Sequence, residues 1–206
     1  MTTFKLAVID YGAGNLRSVA KAIESLGHKA IVTSNPRDLS TVDGTVFPGQ
    51  GIAGPAMDRL KAAGMDIALK ETVTAGRPFF GVCLGLQVMF DWSDEGDTTC
   101  LGILSGRSIR FTEGLKVPHM GWNAVRFVRD HPVFEGVEDG TQFYFVHSYY
   151  GVPDDAGLTI GETEYGTTFA SAVATENLVA TQFHPEKSGM TGVRLYDNFF
   201  RHALGG

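Results

Sequence analysis

The chain has 206 residues, of which 43% are apolar and 19% are charged. This length and composition exclude extended disorder and predict one domain, over residues 1–206, with a sizeable core. The net charge is −6 and basic residues form no run, so neither nucleic acid nor an anionic membrane is an expected partner.

The cellular compartment is suggested by what the chain lacks. The N-terminal segment has no signal-peptide layout, and the longest apolar run, over 79–90, is too short to span a bilayer. Two cysteines in a chain without an export signal are expected to be free thiols in a reducing compartment. We therefore expect a cytoplasmic protein.

The first half of the chain alternates strand-like and helix-like segments. Apolar runs of strand length lie at 5–10, 29–34, 45–49 and 77–82, and helical spacing is found over 15–27 and about 55–75. Short apolar strands separated by helices are typical of a parallel sheet that is covered on both faces.

The second half of the chain is rich in strand-like segments joined by short turns. These lie at 124–128, 141–150, 158–165, 169–176 and 178–184, and a last helix is predicted over about 193–203. The fold class we expect is α/β, a doubly wound and mostly parallel sheet with helices on both faces and an antiparallel extension in the C-terminal half.

The segment FGVCLGLQ places Cys83 between a buried strand and the start of a helix. Gly81 and Gly85 stand two positions to either side, as in the G-x-Nu-x-G nucleophile elbow, where the absence of side chains permits a strained turn. A thiol at a helix N-terminus also favours the thiolate, which is the reactive form. Cys83 is therefore a candidate nucleophile, whereas Cys100 has no such setting and is predicted to be structural.

A cysteine nucleophile needs a base and a group that orients the base. In QFHPEKS, His184 and Glu186 flank Pro185, and proline biases the residue before it toward an extended conformation. Residues two apart in an extended segment point the same way. The pair is expected to lie side by side, with the carboxylate fixing the imidazole tautomer.

Donors for a negatively charged oxygen are the third requirement of such a site. The Leu84 N–H, directly after the nucleophile, is one candidate. The loop FPGQGI offers the backbone N–H of Gln50, between Gly49 and Gly51, as the second.

Other binding motifs are incomplete. YGAGNLRSV begins like a dinucleotide fingerprint, but Arg17 stands where the third glycine belongs. There is no phosphate-binding P-loop, and no Cys/His cluster has zinc-like spacing, so no cofactor and no metal are expected.

Six motifs together carry a resemblance to a known family. DYGAGN, PGQG, GVCLGLQ, VPHMGWN, HSYYG and QFHPEKSG follow one another between residues 10 and 189. In this the sequence resembles the class I (triad) glutamine amidotransferases, and within them the glutaminase subunits of imidazole glycerol phosphate synthase, from histidine biosynthesis. It departs from the family at Gln50, where valine is usual.

The resemblance implies a role for each matching position. Cys83 is the nucleophile, His184 the base and acid, and Glu186 the orienting carboxylate. The positions that match glutamine-binding residues are Gly51, Gln87, Glu95, Ser148 and Tyr149. The positions that match the partner interface are Asn15, Trp122, Asn123 and Lys187.

The resemblance also implies a partner and a reaction. Glutamine is hydrolysed through a cysteinyl thioester, and ammonia passes to a separate (βα)8-barrel synthase subunit in a heterodimer. Two alternatives remain open at this point. One is the glutaminase of another triad amidotransferase, for pyridoxal phosphate or anthranilate synthesis, and the other is a non-catalytic regulatory subunit of the same fold.

Overall fold

A computed structural model of the chain describes residues 2–112 and 114–205, so the domain boundaries expected at residues 1 and 206 lie outside the described residues. The helices are α1 (Leu16–Ser25), α2 (Ala53–Ala63), α3 (Met65–Thr74), α4 (Leu84–Gln87) and α5 (Gly189–Leu204). The strands are β1 (Lys5–Ile9), β2 (Lys29–Thr33), β3 (Gly44–Phe47), β4 (Phe79–Val82), β5 (Trp92–Ser93), β6 (Thr98–Thr99), β7 (Gly106–Arg110), β8 (His119–Ala124), β9 (Arg126–Phe127), β10 (Gln142–His147), β11 (Tyr149–Pro153), β12 (Thr159–Glu164), β13 (Thr168–Ala174) and β14 (Leu178–Thr181). Short 3₁₀ helices occupy Pro36–Thr41, Pro132–Phe134, Ala156–Leu158 and Pro185–Lys187.

The main sheet has a parallel core and an antiparallel extension. Its strand order is β2-β1-β3-β4-β14-β13-β11-β7-β5-β6, with β12 pairing β13 and β9. The first five strands of this order run parallel, and β13, β11 and β7 continue the sheet in antiparallel pairs. The predicted fold class is confirmed. A separate two-stranded antiparallel sheet consists of β8 and β10, which we call the β8–β10 hairpin although β9 lies between the two strands in sequence.

Both faces of the sheet are buried, as the continuous apolar strands predict. In β1, Leu6 and Val8 belong to one hydrophobic cluster while Ala7 and Ile9 belong to the other, because successive side chains point to opposite faces. Helices α1 and α5 cover the first face, and α2 and α3 cover the second. Within the described part of the chain, no helix is long and apolar enough to cross a membrane.

Two predicted helices differ from those observed. The helix expected over about 55–75 is two helices, α2 and α3, because Gly64 between them has a left-handed backbone with φ of 68°. Such a residue caps the C-terminus of the first helix and turns the chain. The last helix begins at Gly189, four residues before the predicted start, directly after the Pro185–Lys187 turn.

The strands of the second half also show more variety than predicted. The expected strand over 124–128 forms only the short β9, and the expected strand over 141–150 divides into β10 and β11. Strands β5 to β7 have no counterpart among the predicted segments, and β8 overlaps them only at Ala124. Strand β14 belongs to the parallel core, where it pairs with β4. This pairing brings the C-terminal end of β14 beside Cys83.

Candidate active site

The elbow at Cys83 has the strained geometry that its flanking glycines predict. Strand β4 ends at Val82, helix α4 begins at Leu84, and Cys83 between them has φ of 54°, a rare value for a residue with a side chain. A Cβ on Gly85 would lie 2.2 Å from the Phe47 carbonyl oxygen, and one on Gly81 would lie 2.9 Å from the Gly85 oxygen. Neither position has room for a side chain.

Helix α4 is a single turn, which corrects one expectation. The helix after Cys83 ends at Gln87, so a full helix macrodipole is not available to polarise the thiol. What the turn does supply is the Leu84 N–H, one of the first N–H groups that a helix leaves without an intrahelical acceptor. Any further stabilisation of a thiolate has to come from neighbouring side chains.

The carboxyl ends of the parallel strands meet around the cysteine. The loop with Gln50 follows β3, Cys83 follows β4, and His184 comes shortly after β14. Cys83 N–H donates to the Thr181 carbonyl at 2.7 Å, which ties the elbow to the end of β14. Ligands of open α/β sheets bind at this edge, outside the carboxyl ends of the strands.

His184 and Glu186 lie side by side, though not in an extended segment. His184 itself is extended, and Pro185–Lys187 then forms a 3₁₀ turn that folds Glu186 back. The distance from His184 Nδ1 to Glu186 Oε1 is 2.8 Å, and both side chains are buried. With Nδ1–H donating to the carboxylate, Nε2 is the ring nitrogen left for proton transfer.

The imidazole of His184 is electrostatically coupled to the sulfur of Cys83. Burial by itself lowers the pKa of His184, but the charges of Cys83 and Glu186 outweigh it and raise the pKa to about 9. Nε2 has no hydrogen-bond partner among the described residues of the resting chain. His184 therefore favours its imidazolium form at neutral pH.

A cavity of about 400 Å³ opens on the sulfur and collects the predicted substrate-binding residues. Cys83, Leu84 and Lys187 line it together with the positions that match glutamine-binding residues: Gly51, Gln87, Glu95, Ser148 and Tyr149. Glu95 accepts a hydrogen bond from the Ala53 N–H at 2.8 Å, at the N-terminus of α2. Burial raises the pKa of Glu95.

The two candidate oxyanion donors lie on touching backbone segments. A Cβ on Gly49 would lie 2.3 Å from the Gly85 nitrogen, so the PGQG loop packs directly on the start of α4. The Gln50 N–H, however, donates to the Tyr11 hydroxyl at 2.8 Å, and the same hydroxyl donates to the Gln50 carbonyl at 2.7 Å. In this conformation the Gln50 N–H is occupied, and burial raises the pKa of Tyr11 to about 12.

The predicted interface residues occupy different environments. In the β8–β10 hairpin, Met120 and Trp122 are 61% and 55% exposed, and Trp122 packs edge-on against Tyr144 at 6.1 Å between ring centroids. Lys187 Nζ lies 5.8 Å from the centroid of the Tyr144 ring. We call the group Met120, Trp122, Tyr144 and Lys187 the hairpin patch.

The two predicted asparagines are engaged within the chain. Asn123 alternates with Trp122 along β8 and points inward, where Nδ2 lies 3.0 Å from the Glu164 carbonyl and 3.2 Å from His119 Nε2. Asn15 caps α1, with its side-chain oxygen accepting from the Ser18 N–H at 3.4 Å. Both side chains therefore form hydrogen bonds within this chain.

Several polar residues near the site were not singled out from the sequence. His119 Nδ1 lies 3.0 Å from His147 Nε2, and His147 Nδ1 lies 2.8 Å from the Tyr149 carbonyl. Burial lowers the pKa of His119 to about 4 and that of His147 to about 3, so both rings are neutral. Gln182 is fully buried, and its Nε2 lies 3.5 Å from Cys83 Sγ. The sequence signal for these residues was their membership of the VPHMGWN, HSYYG and QFHPEKSG motifs.

A cysteine on a strained elbow, coupled to a buried His–Glu pair above a parallel sheet, is the arrangement of a thiol-dependent acyl-transfer enzyme. The family model described as glutamine amidotransferase class-I matches residues 7–203. The chain belongs to this family.

Curated relatives match over almost the whole chain. A protein of Dehalococcoides mccartyi named imidazole glycerol phosphate synthase subunit HisH is 50% identical over 201 residues, covering 97% of this chain and 98% of the relative. Proteins of the same name from Nitrosococcus oceani and Aromatoleum aromaticum are 49% and 47% identical, covering 94% and 96% of this chain and 95% and 98% of the relatives.

Solved structures share the fold at low sequence identity. A structure described as a glutamine amidotransferase superposes with a TM-score of 0.76 at 19% identity, covering 96% of this chain and 98% of the other. The structure of PurLQS from Thermotoga maritima gives a TM-score of 0.76 at 16% identity, covering 97% of this chain and 99% of the matched chain. These likenesses establish the architecture.

Proposed function

We propose that this chain is the glutaminase subunit of an imidazole glycerol phosphate synthase, and that Cys83, His184 and Glu186 hydrolyse L-glutamine within a single domain. The observation that carries the proposal is the buried His184–Glu186 pair at 2.8 Å, whose imidazole is coupled to the elbow cysteine. The family membership and the names of relatives that are 46–50% identical support the same function.

The first half of the reaction forms a thioester. The Cys83 thiolate attacks the side-chain amide carbon of glutamine, and the carbonyl oxygen becomes an oxyanion that accepts from the Leu84 N–H. His184 then donates its Nε2 proton to the amide nitrogen, the C–N bond breaks, and ammonia leaves. A γ-glutamyl thioester remains on Cys83, and His184 is neutral.

The second half of the reaction regenerates the enzyme. Neutral His184 takes a proton from water as the water oxygen attacks the thioester carbonyl carbon. The C–S bond breaks, glutamate is released, and the thiolate–imidazolium pair is restored. Glu186 keeps Nε2 directed at the reacting atoms and stabilises the imidazolium in both halves.

The polar groups of the cavity suit a free amino acid. Both amide hydrogens of Gln87 are already used, one on the Tyr149 carbonyl at 2.7 Å and one on Gln182 Oε1 at 3.1 Å. Gln87 therefore offers only its oxygen to a ligand, and Glu95 offers a carboxylate oxygen. Two acceptors fit the α-ammonium of glutamine.

The hairpin patch supports a proposal for the partner. Exposed aromatic and methionine side chains are typical of interface centres, and this patch shares Lys187 with the wall of the cavity. We propose that a (βα)8-barrel synthase subunit covers it and forms a heterodimer. Ammonia released into neutral water would be protonated and no longer nucleophilic, so a partner sealed over the cavity mouth would preserve it.

The decisive experiment measures glutamate release from glutamine by the full chain, with and without the barrel subunit and its nucleotide substrate. Cys83→Ala should abolish turnover and leave partner binding intact, whereas the matched variant Cys100→Ala, which changes the other buried free cysteine, should keep it. Turnover by Cys83→Ala would remove Cys83 from the mechanism. Copurification with a different synthase would favour another triad amidotransferase, and no adduct of a glutamine-like electrophile on Cys83 in the complex would favour a regulatory subunit.

A further inference from the structure

Gln182 is a buried amide placed next to the sulfur by strand register. Strand β14 pairs in parallel with β4 so that Thr181 lies opposite Val82, and the next residue of each strand is Gln182 and Cys83. The Gln182 side chain is fully buried, and its Nε2 lies 3.5 Å from Cys83 Sγ. The mechanism described above assigns no role to this contact.

The orientation of this amide is fixed by a chain of hydrogen bonds that starts at a backbone carbonyl. The Tyr149 carbonyl can only accept, so the amide group of Gln87 that faces it at 2.7 Å must be the NH₂. The second hydrogen of that NH₂ points to Gln182 at 3.1 Å, which must therefore present its oxygen. The NH₂ of Gln182 is then left to face the sulfur of Cys83.

The Tyr149 carbonyl, where this series of hydrogen bonds starts, also contacts His147. His147 Nδ1 lies 2.8 Å from the same Tyr149 carbonyl, and the second nitrogen of His147 lies 3.0 Å from His119 Nδ1. Both histidines are neutral, so His119 can donate to His147 and His147 can donate to the carbonyl. The donors of His147 and Gln87 therefore converge on the Tyr149 carbonyl, and the second hydrogen of the Gln87 NH₂ is the one that donates to Gln182.

We propose that Gln182 is a catalytic residue that donates an N–H hydrogen bond to the Cys83 sulfur and stabilises the thiolate before it attacks. This inference rests on the proposed role of Cys83 as the nucleophile. Because α4 is only one turn long and cannot supply a full macrodipole, an N–H donor at the sulfur adds to the stabilisation that the His184 imidazolium provides. In the thiol form the sulfur instead donates to the Val146 carbonyl at 3.8 Å, a contact that stabilises no negative charge.

The test is the pH dependence of Cys83 alkylation by iodoacetamide in the full chain, followed by mass spectrometry of the peptide that contains Cys83. Gln182→Met removes the donor at similar length, and Gln182→Glu replaces it with a carboxylate. A hydrogen bond to a charged group corresponds to a shift of about one to two pH units, so the midpoint should rise by that much in Gln182→Met and by more in Gln182→Glu. The other titratable groups around the sulfur, which are Tyr11, Glu95, His147, His184, Glu186 and Lys187, are unchanged in both variants.

Two controls separate this effect from general damage. Cys100 is a buried thiol whose pKa burial raises to about 11, and its alkylation in the same digest should not change. Asn198→Asp also converts a buried amide to an acid, in α5, where the amide binds the Val133 and Glu135 carbonyls, and it should leave the Cys83 midpoint in place.

The inference is overturned if folded Gln182→Met keeps the midpoint of the unaltered chain. If neither variant folds, the unaltered chain is tested by NMR as the pH is varied. The side-chain amide proton resonance of Gln182 must shift with the same midpoint as Cys83 alkylation, and a resonance that stays constant rejects the inference. Neither readout requires turnover. Failure here is thus distinct from failure of the proposed function, which would appear as glutaminase activity in Cys83→Ala.

Discussion

The neutral His119–His147 pair predicts a loss of stability in mild acid. Both side chains are buried in the folded chain, where burial lowers the pKa of His119 to about 4 and that of His147 to about 3. In the unfolded chain each has an ordinary pKa of about 6.5. Since the unfolded state binds the extra protons, stability is present above pH 6.5 and is lost as the pH falls toward 4.

The size of the effect follows from the two pKa values. Between pH 7.5 and pH 5, each histidine removes about 2 kcal/mol from the free energy of unfolding, or about 4 kcal/mol for the pair. That is a large share of the total stability of an ordinary domain. The assay is urea unfolding, followed by circular dichroism, at a series of pH values between 5 and 7.5.

Variants show whether these two side chains are responsible. His147→Phe removes one of the two rings, so the change in unfolding free energy between pH 7.5 and pH 5 should shrink by about 2 kcal/mol. His202→Phe, which changes an exposed histidine in α5, should leave the pH dependence as it is. An identical pH dependence in the unaltered chain and in His147→Phe would refute the reasoning, because the ring would then not be buried in its neutral form.

Three further predictions concern the reaction. Gly85→Ala should cost about 1–3 kcal/mol of stability and lower kcat roughly 10²-fold, because the new Cβ would lie 2.2 Å from the Phe47 oxygen and displace the elbow. As a control, Gly27→Ala, whose Cβ meets no described atom within 4 Å, should lower stability without lowering kcat. Glu186→Gln should lower kcat by roughly 10²- to 10⁴-fold, and unchanged kcat would remove the carboxylate from the mechanism. The alkaline limb of the kcat/KM profile, which reports the free enzyme, should have a midpoint near pH 9, where His184 loses its proton. This midpoint should move to lower pH in Glu186→Gln, and a midpoint that stays in place would contradict the effect assigned to the carboxylate.

Local patterns in the sequence were enough to predict the elbow and the class of fold. Gly81 and Gly85 indicate a strained turn at Cys83 because the pattern lies within five consecutive residues, although the carbonyl that excludes a side chain at Gly85 belongs to Phe47 in β3. The alternation of apolar strands and amphipathic helices likewise predicts a doubly wound sheet, since the periodicity of burial is a local property. The split of the second helix at Gly64 was missed because a single glycine inside an apolar pattern does not by itself end a helix.

His184 and Glu186 lie side by side, as the sequence predicts, but a turn and not an extended segment brings them together. An extended segment would align the two side chains, but the chain instead turns at Pro185–Lys187, and the short 3₁₀ helix brings the carboxylate to Nδ1. Proline at the first position of a helical turn has φ already close to the required value. The sequence is compatible with both conformations.

Contacts between distant parts of the chain were decided only by tertiary structure. The Tyr11 hydroxyl holds both polar groups of the Gln50 peptide across 39 positions, and Gln182 reaches Cys83 across 99. The His119–His147 contact depends on the register of the β8–β10 hairpin, which places the two residues opposite each other. Residue types and local spacing define the reactive groups of this amidotransferase, whereas strand order and register determine which of those groups touch. The reason is that these contacts join segments far apart in sequence, and no periodic pattern of residues links such segments.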